Sequence, residues 1–169
     1  GVQTCALPIC GAGNDIYLIG AGDHPAAEIA DSGGDALDIL RFTSTGAQTL
    51  TLYAGDVGIE QVNISDAAGV ATGTTAENIN AAASANALVI TGNDGANTLT
   101  GTAFADTISG GAGNDAINGG AGDDTITGGT GTDTMNGGAG NDVYLIATAA
   151  QHTAAEIADG GGDAADVVR

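Results

Sequence analysis

Five aspartates recur at nine-residue intervals, Asp106, Asp115, Asp124, Asp133 and Asp142, and Asn97 holds the same place one interval earlier. The last four follow glycine-rich stretches. Acid at a fixed interval beside flexible backbone is suited to holding a hard cation, which takes carboxylate and carbonyl oxygens. Catalysis finds no matching constellation. The chain has no HExxH and no GxSxG, and with no Lys a phosphate-binding P-loop is ruled out. The GAGND turns imitate the start of GxGxxG, but the sixth position is never Gly, and no loop of spaced acids ends in Glu as an EF-hand loop would. His24 and His152 read as surface residues: Asp23 beside the first becomes Gln151 beside the second, so no acid pairing is kept. Asn63-Ile64-Ser65 fits a glycosylation acceptor formally and reads as coincidence.

The period itself dictates the elements that must position these aspartates. From Gly92 to Leu145 run six gapless nonapeptides: GNDGANTLT, GTAFADTIS, GGAGNDAIN, GGAGDDTIT, GGTGTDTMN and GGAGNDVYL. Position one is always Gly, and position eight is Leu99, Ile108, Ile117, Ile126, Met135 or Tyr144. The GGxGxD half is a turn, with Gly where the backbone needs positive φ or close approach. The other half, one apolar residue flanked by Thr, Asn or Val, is a short strand whose apolar side chain points inward. Each nonapeptide supplies one strand, so every pair of nonapeptides completes one turn of a coil. Leu99, Ile117 and Met135 are predicted to stack in one sheet, and Ile108, Ile126 and Tyr144 in the other. The predicted fold is all-β: a parallel β-roll (β-solenoid) of nonapeptide repeats with flanking short-strand β segments.

Such a coil has a thin core. One Ile-sized side chain per unit contributes about 1.5–3 kcal/mol, whereas ordering each residue costs about 1 kcal/mol or more. The geometry also places Asp115 over Asp133 and aligns Asp106, Asp124 and Asp142, with rungs about 4.8 Å apart. These rows repel unless cations lie between the turns. Calcium suits them because it accepts six to eight oxygens in flexible geometry, whereas magnesium demands a tight octahedron. Zinc and copper are disfavoured because residues 92–145 hold no His or Cys.

The units resemble the RTX (haemolysin-type) calcium-binding nonapeptide GGxGxDxUx, nearly perfectly over the four units from Gly110 to Leu145. The resemblance implies a parallel β-roll with Ca²⁺ held between turns i and i+2. Carried over, the ligand pairs are Asp115 with Asp133, Asp106 with Asp124, and Asp124 with Asp142. Carbonyls would come from the turns Gly111–Gly113, Gly120–Gly122, Gly129–Gly131 and Gly138–Gly140. Two units depart from the pattern: Asn97 replaces Asp, and Thr102 and Phe104 replace the second and fourth positions' Gly before Asp106. Two firm sites and one or two marginal ones are expected. The resemblance further implies a secreted protein, extracellular or associated with the cell surface, exported by type I secretion machinery and folding when it meets calcium.

A longer repeat spans the chain. CGAGNDIYLI at 10–19 matches GGAGNDVYLI at 137–146, and GGDALDILR at 33–41 matches GGDAADVVR at 161–169, the second offset longer than the first by a single inserted residue. Asp38 and Asp166 fall at position six of these degenerate units. The expected organisation is as follows. Residues 1–9 look like a translated sequencing-library adapter and are set aside, and Cys5 and Cys10 with them. Residues 10–41 end a preceding roll and its cap, 42–91 form a β-rich inter-roll segment, 92–145 form the roll, and 146–169 form a C-terminal cap leading into the next repeat. Within 42–91, alternating stretches such as QTLTLYAG, GIEQVNIS and ALVITG read as strands of a β-domain or of a calcium-poor continuation of the solenoid, and 74–87 as a site for a short helix capped by Thr75.

Composition excludes other functions. With 21 acidic residues against two arginines, the net charge is −19, which repels nucleic acid and anionic membrane surfaces. No apolar run approaches the roughly 20 residues a spanning helix needs. The expected function is a non-enzymatic calcium-binding module of a large bacterial protein. The alternatives are a spacer in a surface adhesin array, whose target the sequence leaves open, and the secretion domain of an extracellular protease or lipase.

Overall fold

The structure is a computed structural model and describes residues 2–3, 13–20, 29, 37–66, 68–146, 157 and 167–169. Among these residues every regular element is a strand, and every strand pairing is parallel. One sheet has nine strands, stacked in the order β1 (Val2–Gln3), β2 (Ile16–Gly20), β3 (Ile39–Thr43), β5 (Gln61–Ile64), β7 (Val89–Thr91), β9 (Thr107–Ala112), β11 (Thr125–Thr130), β13 (Val143–Tyr144) and β14 (Val167–Val168). The facing sheet has five: β4 (Thr49–Thr51), β6 (Asn78–Asn80), β8 (Thr98–Thr100), β10 (Ala116–Ala121) and β12 (Thr134–Ala139). The chain alternates between the sheets from β3 to β13, so it is a β-solenoid whose rungs contact only their neighbours. Val2–Gln3, within the segment set aside on sequence grounds, adds a short strand beside β2.

The predicted stacks form. Ile117 lies between Leu99 and Met135, and Ile126 between Ile108 and Tyr144, so each residue pairs with its counterpart two nonapeptides away. Residues 42–91 continue the same coil. Leu40, Val62 and Ile90 extend the Ile108 column, and Leu50 and Ile79 extend the Leu99 column, all of them buried. Only the spacing along the chain changes. The steps from Leu40 to Val62, Val62 to Ile90, Leu50 to Ile79 and Ile79 to Leu99 all differ in length, because unequal loops replace the glycine turns.

The helix expected over 74–87 does not form. Asn78–Asn80 is β6, and Ile79 packs between Leu50 and Leu99. Burial of one apolar residue in the column outweighs the helix propensity of the surrounding alanines. His24, His152 and Asp166 lie outside the described residues.

A second inward-facing column separates the two ends of the molecule. In the nine-stranded sheet it reads Ile19, Phe42 and Ile64, all buried, and then Gly92, Gly110 and Gly128. In the facing sheet Leu52 and Ala81 are followed by Gly101, Gly119 and Gly137. Large apolar side chains at one end thus give way to bare glycine at the other, and aspartate carboxylates take up the space so released.

Candidate metal centre

Each turn from Gly110 onward is set by two glycines. Gly111, Gly113, Gly120, Gly122, Gly129, Gly131, Gly138 and Gly140 all have φ between 101° and 138°, a region L side chains seldom enter. Successive turns stack backbone on backbone, with Gly113 N donating to Thr130 O at 2.9 Å and Gly122 N to Ala139 O at 2.7 Å. A Cβ on Gly129 would strike the carbonyl of Gly111 directly. The two weaker units differ as their sequences require: Asn93 and Thr102 stand where the others carry the first of these glycines, and neither has positive φ.

The aspartates that follow these turns point inward. Asp106, Asp115, Asp124, Asp133 and Asp142 are each at most 2% exposed. In the last four, Oδ2 lies where a Cβ on the unit's own first glycine would sit: Asp115 over Gly110, Asp124 over Gly119, Asp133 over Gly128 and Asp142 over Gly137. Their Oδ1 atoms form two ladders along the coil. Asp106 N donates to Asp124 Oδ1 (2.8 Å) and Asp124 N to Asp142 Oδ1 (2.9 Å); on the other side Asn97 N donates to Asp115 Oδ1 (2.8 Å) and Asp115 N to Asp133 Oδ1 (2.9 Å).

Electrostatics make these rows costly. Asp115 Oδ2 and Asp124 Oδ2 are buried without a hydrogen-bond partner. Burial pushes Asp115 up to about 6, with the nearby Asp133 charge adding to it. Burial pushes Asp124 further, to about 7, and the charges of Asp106, Asp142 and Asp123 act in the same sense. A dry carboxylate of this kind needs a proton or a cation. Among the described residues no three Asp, Glu, His or Cys groups converge on one point. An ion between adjacent rungs would therefore meet at most two carboxylates and complete its shell with backbone oxygen or water, a donor set of hard oxygens that fits calcium.

Two predicted site residues are satisfied by the protein itself. Asp106 accepts from Thr102 N (2.6 Å), Leu88 N (2.7 Å) and Thr102 Oγ1 (3.1 Å). Burial still raises its pKa, but those donors oppose the shift. Asn97 accepts from Asn93 N (2.9 Å) and donates through Nδ2 to Glu77 O (2.7 Å) and Asn93 Oδ1 (3.0 Å). Its amide closes the rung that an aspartate would leave charged.

The pattern also reappears beyond the nonapeptides, in one row directly and in the other after an interruption at Leu88. Asp15 N donates to Asp38 Oδ1 (2.7 Å) and Asp38 N to Glu60 Oε2 (2.7 Å), and Glu77 occupies the place of Asn97 one rung earlier. Glu60 and Glu77 were not among the sequence candidates. The signal was there: each acid immediately precedes a strand, and TGTTAENIN at 72–80 is a degenerate nonapeptide with Glu77 at position six and Ile79 at position eight.

A family model described as the RTX calcium-binding nonapeptide repeat, in four copies, matches residues 91–126 and 116–144. Neither the curated proteins nor the solved structures include a match to this chain. The matched repeat is a calcium-binding structural module rather than a catalytic domain, and its family is typical of secreted bacterial proteins. Glycine turns, inward aspartates and parallel rungs agree with that match: over residues 91–144 the chain carries RTX calcium-binding nonapeptide repeats, wound as a β-roll.

Proposed function

We propose that the chain is a module, itself without catalytic activity, that completes its fold on binding calcium and belongs to a larger secreted bacterial protein exported by type I secretion. The firm ligand pairs are Asp115 with Asp133 and Asp124 with Asp142, supplemented by carbonyls of the Gly111–Gly113, Gly120–Gly122, Gly129–Gly131 and Gly138–Gly140 turns. Asp106 with Asp124 is a weaker pair because Thr102 and Leu88 already donate to Asp106, and Asn97 contributes least because its amide is engaged. The observation that carries this reading is the pair of buried, partnerless oxygens on Asp115 and Asp124. Calcium supplies the charge they lack, so its binding free energy becomes folding free energy. Low cytosolic calcium would leave the roll open for export, and extracellular calcium would close it. Far-UV circular dichroism of the whole chain tests this: β signal should grow on adding calcium after chelation. Complete β signal in EDTA would overturn it.

A second reading, a spacer in a surface array, is favoured by the long repeat. β2 and β3 at one end of the nine-stranded sheet correspond in sequence to β13 and β14 at the other, and each pair is joined in parallel, Ile16 with Ile39 and Val143 with Val167. Tandem modules of this kind would wind on as one calcium-stiffened rod. The full gene decides between the two: many copies of the long repeat support the array.

A further inference from the structure

Outside the calcium turns the coil opens into a cleft of about 480 Å³, walled by the ends of β3 and β5 and by the loop that leads to β6. It lies where the glycine turns give out. Gly113 stacks on Gly95 and Gly95 on the carbonyls of Thr74 and Thr75, and beyond Thr75 the cleft takes the place of a further tight turn. Glu77 lines it. This side chain is 3% exposed, and its Oε1 is buried with no hydrogen-bond partner. Burial raises its pKa, opposed by hydrogen bonding from Ser44. The chain has no Lys, and Arg41 lays its guanidinium against Gly69 instead of lining the cleft.

The other polar groups of the lining are chiefly hydroxyls. Thr43 Oγ1 donates to Ile19 O (3.4 Å), Ser44 Oγ to Gly46 O (2.9 Å) and Ser65 Oγ to Asp66 O (3.1 Å). Thr43 and Ser65 thus direct their protons to backbone carbonyls, while Ser44, which also hydrogen-bonds to the Glu77 carboxylate, accepts from Gly46 N (3.2 Å). Asn93 Nδ2 is likewise taken, by Thr75 O at 3.0 Å. The cleft therefore offers acceptors and one buried carboxylate, with Val70 as an apolar wall. Its complement carries a positive charge to meet Glu77, donors for the hydroxyl oxygens and a short aliphatic stem, and an alkylammonium group has those properties. Calcium fits less well. The second carboxylate, Asp66, has Oδ1 held by the N–H groups of Ala68 (2.9 Å) and Val70 (2.8 Å), and the nearby carbonyls of Gly73 and Thr75 already accept from Asp94 N and Glu77 N. The volume also suits a small organic molecule better than a bare ion.

We propose that this cleft is a binding site for a small primary amine, its ammonium head on Glu77 Oε1 and the surrounding hydroxyl oxygens and its stem along Val70. Glu77 stands one rung before Asn97 in the row that leads to Asp115, but the proposal does not depend on calcium being bound in that row. The test is an amide-resolved NMR titration of the full chain, held in saturating calcium, with n-butylammonium chloride. Parallel arms use n-butanol, which keeps the stem and loses the charge, and additional calcium. Saturable shifts are expected at the amides of Ser44, Thr72, Thr75 and Glu77, with n-butanol silent. Glu77→Gln should weaken binding about tenfold, the loss of one charge-assisted contact. Its amide peaks away from the cleft report whether it folds. Val70→Ser, at an exposed wall position, should weaken binding severalfold with the fold intact. The proposal fails if no saturation is seen, if n-butanol binds as well, if both variants bind like the parent, or if added calcium produces the same shifts.

Discussion

The rungs between β3 and β8 and those from β9 to β13 follow one coil by two different chemistries. In the first group, side chains close the turns and fill the interior. Asp56 accepts from Ile29 N (3.0 Å) and Tyr53 N (2.7 Å), Asn93 and Asn97 bond each other and the backbone, and Phe42, Leu52, Ile59 and Ile64 pack a two-column core. In the second group the inner column is glycine, the turns have positive φ, and the space is filled by aspartate oxygens. Apart from Glu77, the first group is closed by its own side chains; the second has an interior that only a cation or a proton completes. Parallel register alone therefore does not stabilise a rung; what fills the column beside the apolar stack does.

Removing calcium should have the largest effect and should divide the molecule along this line. In EDTA at neutral pH, the amides of β10, β11 and β12 should lose hydrogen-exchange protection by about a hundredfold or more, while those of β3, β5 and β7 keep most of theirs. Uniform loss along the coil would show that both groups depend on the ion alike.

Next in size is Gly129→Ala. It forces φ of +107° on a residue with a Cβ and drives that carbon into Gly111 O. Backbone strain and overpacking together predict a loss of about 3–5 kcal/mol in calcium. Gly46→Ala is the matched substitution in the first group, where a Cβ meets nothing within 4 Å. It should stay within about 0.5 kcal/mol. Chemical denaturation of the two variants measures the contrast.

The sequence showed the second group clearly and the first poorly, for a physical reason. A turn that must repeat its backbone conformation and its ligand has one solution, GGxGxD, so Asp115, Asp124, Asp133 and Asp142 stand at a strict period and their stacking could be read off. A turn closed by side chains has many solutions of different length, so Leu40, Val62 and Ile90 keep register in space while losing it along the chain. Ile79 was hidden the same way, inside a stretch whose alanines suggested helix. The role of the first glycine of each unit was hidden too: it reads as turn chemistry, and only the folded coil shows Asp124 Oδ2 lying over Gly119.

Asp124→Asn should act in opposite directions with and without calcium. Its carboxyl rises from an ordinary 3.8 to about 7 in the fold, so the folded state binds the proton more tightly than the unfolded one. Without calcium that contribution is fully present below about pH 4 and is lost as pH rises to about 7; in EDTA the coil should be more stable at pH 5 than at pH 8. With calcium the order reverses, because the ion takes the charged form. The amide of the variant needs neither proton nor ion. At pH 8 in EDTA it should add about 2–4 kcal/mol, and it should shrink the further gain on adding calcium. A variant that loses stability in EDTA would show that the buried charge is not what opens these rungs.

The smallest of the expected losses, the neutral Gly46→Ala aside, falls at the seam, where one residue separates the two chemistries. Asn97→Asp restores the aspartate that the nonapeptide pattern calls for, beside Asp115 in the same row. It gives up the two bonds that Nδ2 makes to Glu77 O and Asn93 Oδ1, which a carboxylate cannot donate. With those acceptors facing a new charge, the variant should lose about 1–3 kcal/mol in EDTA and recover more than the parent does on adding calcium, read as a steeper rise of melting temperature with ion concentration. If stability in EDTA is unchanged, the amide bonds do not hold this rung. If only the calcium response fails to steepen, an aspartate needs the two positive-φ glycines before it to act, and the boundary between the two groups is set by backbone rather than by charge.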